Sequence, residues 1–383
     1  MKVAIVHEWL ETYAGSERVL EQMISCYPNA DIFAVVDFLS PQERGFLQGR
    51  DVVTSFIQRL PFAGRYFRSY LPLMPAAVEQ FDLSGYDLVL SSSHAVAKGV
   101  LTGPNQVHVS YVHSPMRYAW DQQAQYLRQA GLTKGLKTIC AKAILHELRM
   151  WDVRTANGVD QFVANSSFIA GRIRKVYRRN SIVLHPPVDT DAFCVGDRRD
   201  DFYVLAARFV PYKRVDLVVE AFRQMPDRQL RVIGTGPELR RVRQVARGTP
   251  NIGLLDPLPR GDLIATLQNA RAFVFAGEED FGITMVEAQA CGTPVIAYCS
   301  GGAVDIVRSG VTGILFREQT AAAIVDAVQR FEALETEITP QNCRTNAERF
   351  SVSNFRRGLT SAVEAAMNVD HARQFLTPEF SFA

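Results

Sequence analysis

No two of the six cysteines (Cys26, Cys140, Cys194, Cys291, Cys299, Cys343) form a CxxC pair. That removes the zinc-ribbon spacing and a disulfide framework, and it fits a reducing compartment. No apolar run approaches the roughly 20 residues that span a bilayer. The opening MKVAIVHEWL has too short an apolar core for a secretory signal, so a cytoplasmic protein is expected. Neither sign of charge dominates: 42 Lys and Arg against 40 Asp and Glu leave a formal net charge of +2. Such balance argues against bulk nucleic-acid binding. Walker A and GxSxG sequences are absent, and HELRM at 146–150 lacks the second histidine of HExxH. Glu278, Glu279 and Asp280 adjoin no histidine or further carboxylate, and no metal is expected.

What remains is a chain of 383 residues with 47% apolar and 21% charged content, a composition of soluble globular proteins and a length that makes two domains the default. VAIVH at 3–7 reads as a buried strand, and Ser16–Ser25 puts Val19, Leu20, Met23 and Ile24 on one helical face. DLVLSSS, HVSYVHS and QFVANSS are further strands, each with a polar tip followed by a helix-like stretch. The segment 185–200, with two prolines and many charges, reads as a linker. Beyond it FYVLAARF, a helix over 215–225, QLRVI, NIGLLDP and RAFVFAG restart the alternation. The expectation is two α/β halves built on parallel sheets, with a cleft between them and the functional loops at the strand ends.

The most informative segment is VFAGEEDFGITMVEAQACGTPV at 274–295. A strand leads into a polar loop and then a helix, with Glu279 in the loop and Glu287 in the helix. A carboxylate only accepts hydrogen bonds, so its natural partners are hydroxyls. Arg208 closes a strand and Lys213 precedes a helix in AARFVPYKRVD. Two cations near a helix N-terminus suit a diphosphate; two solvated surface charges would read the same way. Gly15 follows the first strand and opens the first helix, where a glycine admits close approach of an anion or makes an ordinary turn. Gly234 and Gly236 sit between a strand and a helix, but Leu239 stands where a dinucleotide fingerprint needs its third glycine. His113 ends a strand in YVHSPMRYAWD. Arg117, Tyr118, Trp120 and Asp121 beside it suit sugar recognition or a packed domain edge. In FIQRLPFAGRYFRSYLP at 56–72, aromatics alternate with Arg59, Arg65 and Arg68. That mixture fits anionic lipid headgroups, or a helix burying its aromatics in its own core. RIRKVYRR at 172–179 reads as a solvated helix face.

Taken together, the Gly15 loop, HSPMRYAWD, ARFVPYKR, VIGTGPEL and EEDFGITMVEAQACGTPVIA span nearly the whole chain. They resemble retaining glycosyltransferase family 4, nucleotide-sugar-dependent enzymes of GT-B fold. HSPMRYAWD, ANSSFIAGRI and LHPPVD look most like bacterial mannosyltransferases of O-antigen and exopolysaccharide assembly. The resemblance implies an N-terminal acceptor-side Rossmann-like domain over 1–195 and a nucleotide-sugar-binding one over 196–365. It also implies a last helix, about 366–383, that returns to the first domain. The implied donor is GDP-mannose, with UDP-glucose as the alternative, and a nucleotide-sugar-binding protein without turnover is a third reading. The implied acceptor is a lipid-linked glycan, with peripheral contact to an anionic membrane through Arg59, Arg65 and Arg68. On this resemblance Glu287 holds ribose hydroxyls, Glu279 the donor sugar, and amides near Phe281, Gly282, Ile283 and Thr284 the sugar and diphosphate. Arg208, Lys213 and Gly15 grip the diphosphate, His113 meets the sugar, Gly234 and Gly236 line the donor site, and Leu258 lies by the base. One departure stands out: Asp280 replaces a glycine common in this loop.

Overall fold

A computed structural model describes residues 1–196 and 198–375, and the described residues divide into two compact units. The first holds residues 1–165, 169–185 and the chain from Phe355 onward; the second holds 166–168 and 186–354.

The first unit is built on seven strands: β1 (Val3–Leu10), β2 (Asp31–Asp37), β3 (Val52–Thr54), β4 (Leu88–Ser93), β5 (Val107–Val112), β6 (Gln161–Ala164) and β7 (Ser181–Val183). They are all parallel, in the order β3-β2-β1-β4-β5-β6-β7. Helices cover both faces of such a sheet, so its central strands are apolar throughout; every residue of β4 and β5 is buried. The order reverses between β1 and β4, where the chain leaves one side of the sheet and resumes on the other.

The second unit repeats the plan with six parallel strands: β8 (Phe202–Ala206), β9 (Gln229–Ile233), β10 (Ile252–Leu255), β11 (Ala272–Phe275), β12 (Val295–Tyr298) and β13 (Gly313–Phe316). Their order is β10-β9-β8-β11-β12-β13. Here the reversal falls between β8 and β11. In open sheets of this kind ligands bind beyond the carboxyl ends of the strands at that switch. Two doubly wound units of this form make up the GT-B fold.

The compact units divide the chain at other residues than the two boundaries read from the sequence. The second unit begins at Pro186 rather than at residue 196. The proline-rich segment is not a free linker: the Val188 amide donates to the Phe350 carbonyl at 2.9 Å, and Arg344 donates to the Thr190 carbonyl at 2.8 Å. The returning segment starts at Phe355 rather than near 366, within the helix Val352–Phe375. Phe355, Leu359, Ala362, Val363 and Ala366 fall on one helical face and join the first unit's core with Leu20, Met23 and Leu90. Phe355 meets Tyr111 edge-on at 5.6 Å, and Gly358 leaves the room that Leu184 fills. Residues 376–383 of the expected returning helix lie outside the described residues. Among the described residues no helix is long and apolar enough to cross a membrane.

Candidate active site

Eleven of the thirteen candidate residues lie in the second unit, and most of them sit on the loops that leave β8 and β11 at the topological switch. After β8 the chain passes the exposed Arg208, buries Phe209, and turns through Pro211–Lys213. After β11 it runs through Gly277, Glu278, Glu279 and Asp280 to Gly282, which caps the helix Ile283–Ala290 with a left-handed backbone (φ 109°). The two loops touch because position 277 is glycine: a Cβ there would lie 2.7 Å from the Lys213 Cα and 2.9 Å from the Tyr212 carbonyl.

That approach sets the central contact. Lys213 Nζ lies 2.7 Å from Glu279 Oε1, with both side chains about one-fifth exposed. Burial works to lower the Lys213 pKa, but the charge and hydrogen bond of Glu279 outweigh it and raise it above the ordinary lysine value. Arg208 is near enough to act in the opposite sense. The loop is held from outside by the turn after β12 and by Gln319 beyond β13. Gly302 N donates to the Glu279 carbonyl at 2.9 Å, Ser300 Oγ donates to Glu278 at 2.5 Å, and Gln319 donates to the Ala276 carbonyl at 2.8 Å. A Cβ on Gly301 would lie 2.1 Å from the Glu279 carbonyl oxygen. Phe281 is buried edge-on against Phe350 at 5.5 Å. Asp280, the departure from the familiar glycine, has no left-handed backbone, so a side chain there carries no conformational penalty.

Gly282 starts a helix whose first amides, those of Ile283 and Thr284 included, form its electropositive end. Glu287 is buried on the same helix, about 7 Å along the axis from Gly282. Gly234 and Gly236 have a packing explanation of their own. A Cβ on either would come within 2.0–2.5 Å of the Ala207 or Phe209 carbonyl. Phe209 N donates to the Thr235 carbonyl at 2.8 Å, which locks the loop after β9 onto the Arg208 loop. Leu258 is half-buried against the apolar cluster that contains Phe281 and Met285.

Gly15 and His113 belong to the first unit. Gly15 opens the helix Gly15–Cys26 directly after β1. The Ala14 amide donates to Glu17 Oε2 at 3.0 Å, and Glu17 lies 3.3 Å from His7 Nε2. Burial pushes the Glu17 carboxyl up, but its bonds to His7 and Ser16 prevail and bring it down to about 2. His113 Nε2 shares a hydrogen with Ser92 Oγ at 2.9 Å, and Asn165 donates to its carbonyl at 3.0 Å. Burial, then the neighbouring His94 and His7, lowers its pKa to about 3, so it is a neutral imidazole at physiological pH.

Three features escaped the sequence reading. Glu8, at the end of β1, accepts from the amides of His94, Ala95, Val96 and Ala97 at 2.7–3.0 Å and ties β1 to the turn after β4. Gly277 and the Ser300–Gly302 turn shape the second unit's loop. The large groups after His113 divide between two readings: Trp120 donates to the buried Asp152 at 2.8 Å and Asp121 pairs with Arg172, the contacts of a packed edge. Arg172 is therefore not a solvated cation of the basic run. In 56–72 no continuous helix forms. Turns over Phe56–Arg59, Ala63–Tyr66 and Phe67–Leu73 bury Ile57 and Phe67 and leave Phe56, Phe62 and Tyr66 exposed. Arg59, Arg65 and Arg68 are all exposed, and Arg68 pairs with Glu11.

Comparison with known proteins places both units. Residues 13–192 match the family model described as Glycosyltransferase Family 4, and residues 196–350 match that described as Glycosyl transferases group 1. A D-inositol 3-phosphate glycosyltransferase of Geodermatophilus obscurus is 34% identical over 238 residues, 54% of this chain and 53% of the relative. The chain thus spans about half the length of that curated relative. Among solved structures, Anabaena Alr3699/HepE in complex with UDP aligns with a TM-score of 0.68 at 17% identity, covering 95% of this chain and 100% of that one. Sucrose-phosphate synthase from Thermosynechococcus elongatus aligns at 0.70 and 18% identity, covering 96% and 100%. At such identities the structures speak to the fold alone.

Proposed function

We propose, for a chain of GT-B fold whose halves match glycosyltransferase family 4 and the group 1 glycosyl transferases, that it transfers a hexose from a nucleotide sugar with retention of configuration. The observation that carries this reading is the Lys213–Glu279 pair at the β8/β11 switch, beside a glycine-capped helix N-terminus. Departure of a nucleoside diphosphate from a sugar concentrates negative charge on its phosphate oxygens. Lys213, held protonated, and Arg208 offset that charge, and the amides at Ile283 and Thr284 add donors that are fixed beforehand. Glu279 is freed toward the donor hexose as the diphosphate competes for Lys213, and Glu287 accepts from the ribose hydroxyls. For Gly15 and the neutral His113 the family resemblance supplies the roles, Gly15 toward the diphosphate and His113 toward the sugar. The acceptor hydroxyl loses its proton to a donor phosphate oxygen on the same face, so no protein carboxylate becomes glycosylated. Leu258 borders the base.

The finer assignment is mannose from GDP-mannose, passed to a lipid-linked glycan in bacterial surface polysaccharide synthesis, with the first unit touching an anionic membrane through Arg59, Arg65 and Arg68. A UDP-sugar is the second reading for the donor, because the Anabaena structure holds UDP. The test is a thermal-shift series with GDP-mannose, UDP-glucose and the free nucleotides, followed by mass-spectrometric detection of sugar transferred to a lipid-linked acceptor. Binding to the folded state stabilises it by RT ln(1 + L/Kd), where L is the free ligand concentration, so Tm rises with the logarithm of ligand concentration over Kd. A rise with GDP-mannose above UDP-glucose supports the first donor, and the reverse supports the second. Binding without transfer or hydrolysis would leave a nucleotide-sugar-binding protein, and no rise with any nucleotide sugar would end the transferase reading.

A further inference from the structure

Exposed large apolar side chains are distributed unequally between the two units. Of nineteen among the described residues, sixteen lie in the first unit and three (Leu255, Val304, Val311) in the second. Charge divides the same way: the first unit carries 23 Lys and Arg against 18 Asp and Glu, and the second 19 against 22. A near-neutral chain is therefore a basic, apolar-surfaced unit joined to an acidic one.

The feature concentrates on the helix Leu136–Thr155. Its inward side is narrow, with Thr138, Leu145, Leu148 and Asp152 buried, and Asp152 is held by the Lys98 ammonium at 2.8 Å. The opposite side is mixed, with exposed apolar residues interrupted by His146, Glu147 and Arg154. Leu136 is 75% exposed, Ile139 65% and Met150 60%, and with the exposed Ala143 they fall at helical spacing on one stripe. Lys134, Lys137 and Lys142 are exposed around its N-terminal half, and Arg154 stands at its end. Glu147 is the helix's one exposed acid. A twenty-residue helix with apolar residues on its outer side and lysines beside them has the composition of a segment that lies in a membrane interface, its apolar side among acyl chains and its cations at the headgroups. A second copy of this chain fits less well, since a two-fold contact through this stripe would set the same lysines against each other. The same unit presents a second apolar point: Phe62 is 79% exposed, in a left-handed backbone (φ 56°), with Arg59 and Arg65 exposed nearby in sequence.

We infer that the outer face of the helix Leu136–Thr155 is a docking surface for an anionic lipid bilayer. The inference deepens the lipid-facing part of the reading above and is independent of donor chemistry. It is tested with the full chain and vesicles of phosphatidylcholine, with and without phosphatidylglycerol. The wild type is expected to pellet with the anionic vesicles and to be released by salt. The double variant Ile139→Ser with Met150→Ser is expected to bind about tenfold more weakly, because two apolar side chains lose their burial. Glu147→Lys is expected to bind several-fold more tightly. All three proteins should keep the wild-type Tm, as every altered residue is exposed, and the same donor-induced Tm rise, which reads the second unit. Equal pelleting of wild type and double variant would overturn the inference and leave the transferase reading untouched. A wild type that ignores vesicles but dimerises in sedimentation equilibrium, with a monomeric double variant, would overturn it in favour of self-association.

Discussion

Lys213 Nζ and Glu279 Oε1 are 2.7 Å apart, although they come from loops separated by more than sixty residues and by the switch in strand order. The pair is partly screened from water, and each charge fixes the other. Replacing Lys213 by Ala removes a cation that faces the leaving diphosphate, and kcat is expected to fall about a hundredfold. Glu279→Ala should lower kcat as well and leave Lys213 without its fixed partner. Residues in contact do not add independently, so the double variant should lose less than the two single losses combined. Steady-state kinetics on the four proteins give the coupling, and strict additivity would show that the contact has no part in turnover.

Glu287 is expected to behave differently. It is buried within a helix rather than poised in a loop, and a ribose contact is made equally in the ground and transition states. Such uniform binding appears in KM. Glu287→Gln should raise the donor KM about tenfold, consistent with loss of one charge-assisted hydrogen bond, with kcat changed little. A fall in kcat at unchanged KM would remove the ribose assignment.

The segment around Glu279 and Glu287 was legible because strand, glycine-capped helix and acidic residues follow one another within about twenty positions. Most strands of both units could be read the same way, since buried parallel strands are continuous apolar runs. The three-residue edge strands β3 and β7 carry too little pattern to detect. The roles of Gly277, Gly301 and Gly302 come from backbone approaches to Lys213, Glu279 and Phe281, and a glycine in sequence does not announce what it approaches. Glu8 and Glu17 look like surface acids, and only the fold brings four amides to one and His7 to the other. Between 56 and 72 a helix is one of the two readings the sequence allows, but Pro61 and the left-handed Phe62 break the segment into turns, the last of which contains Pro72.

The turn after β12 gives a test of loop shape that leaves every charged group in place. Gly301 has a φ of 65°, and a Cβ would meet the Glu279 carbonyl at 2.1 Å. Gly301→Ala therefore strains its own backbone, at about 1–3 kcal/mol, and pushes the loop that carries Glu279. Activity should drop with a modest loss of Tm. Gly310→Ala is the control: it has a similar φ of 80° but open space around it, so it should cost stability without a comparable loss of turnover. Equal losses of turnover in both would remove the special role of the 300–302 turn.

Acid sensitivity should belong mainly to the first unit. His108 is buried between Ser91 Oγ at 2.8 Å and the Gly158 carbonyl, and burial lowers its pKa from 6.5 to about 4. His113 falls to about 3 for the same first reason. Below pH 6.5 the unfolded chain takes up protons that these two native imidazoles refuse, so stability declines from there toward pH 4 and 3. Glu17 works in the same direction lower down. Its carboxyl is depressed from 4.5 to about 2, and the stability it lends above pH 4.5 is lost as the pH falls toward 2. Calorimetry from pH 7.5 to 4.5 should show a transition that moves down in temperature. His108→Gln keeps groups able to meet Ser91 and Gly158 but does not titrate, so it should flatten that dependence. An unchanged slope in this variant would mean that His108 is not among the groups that drive it.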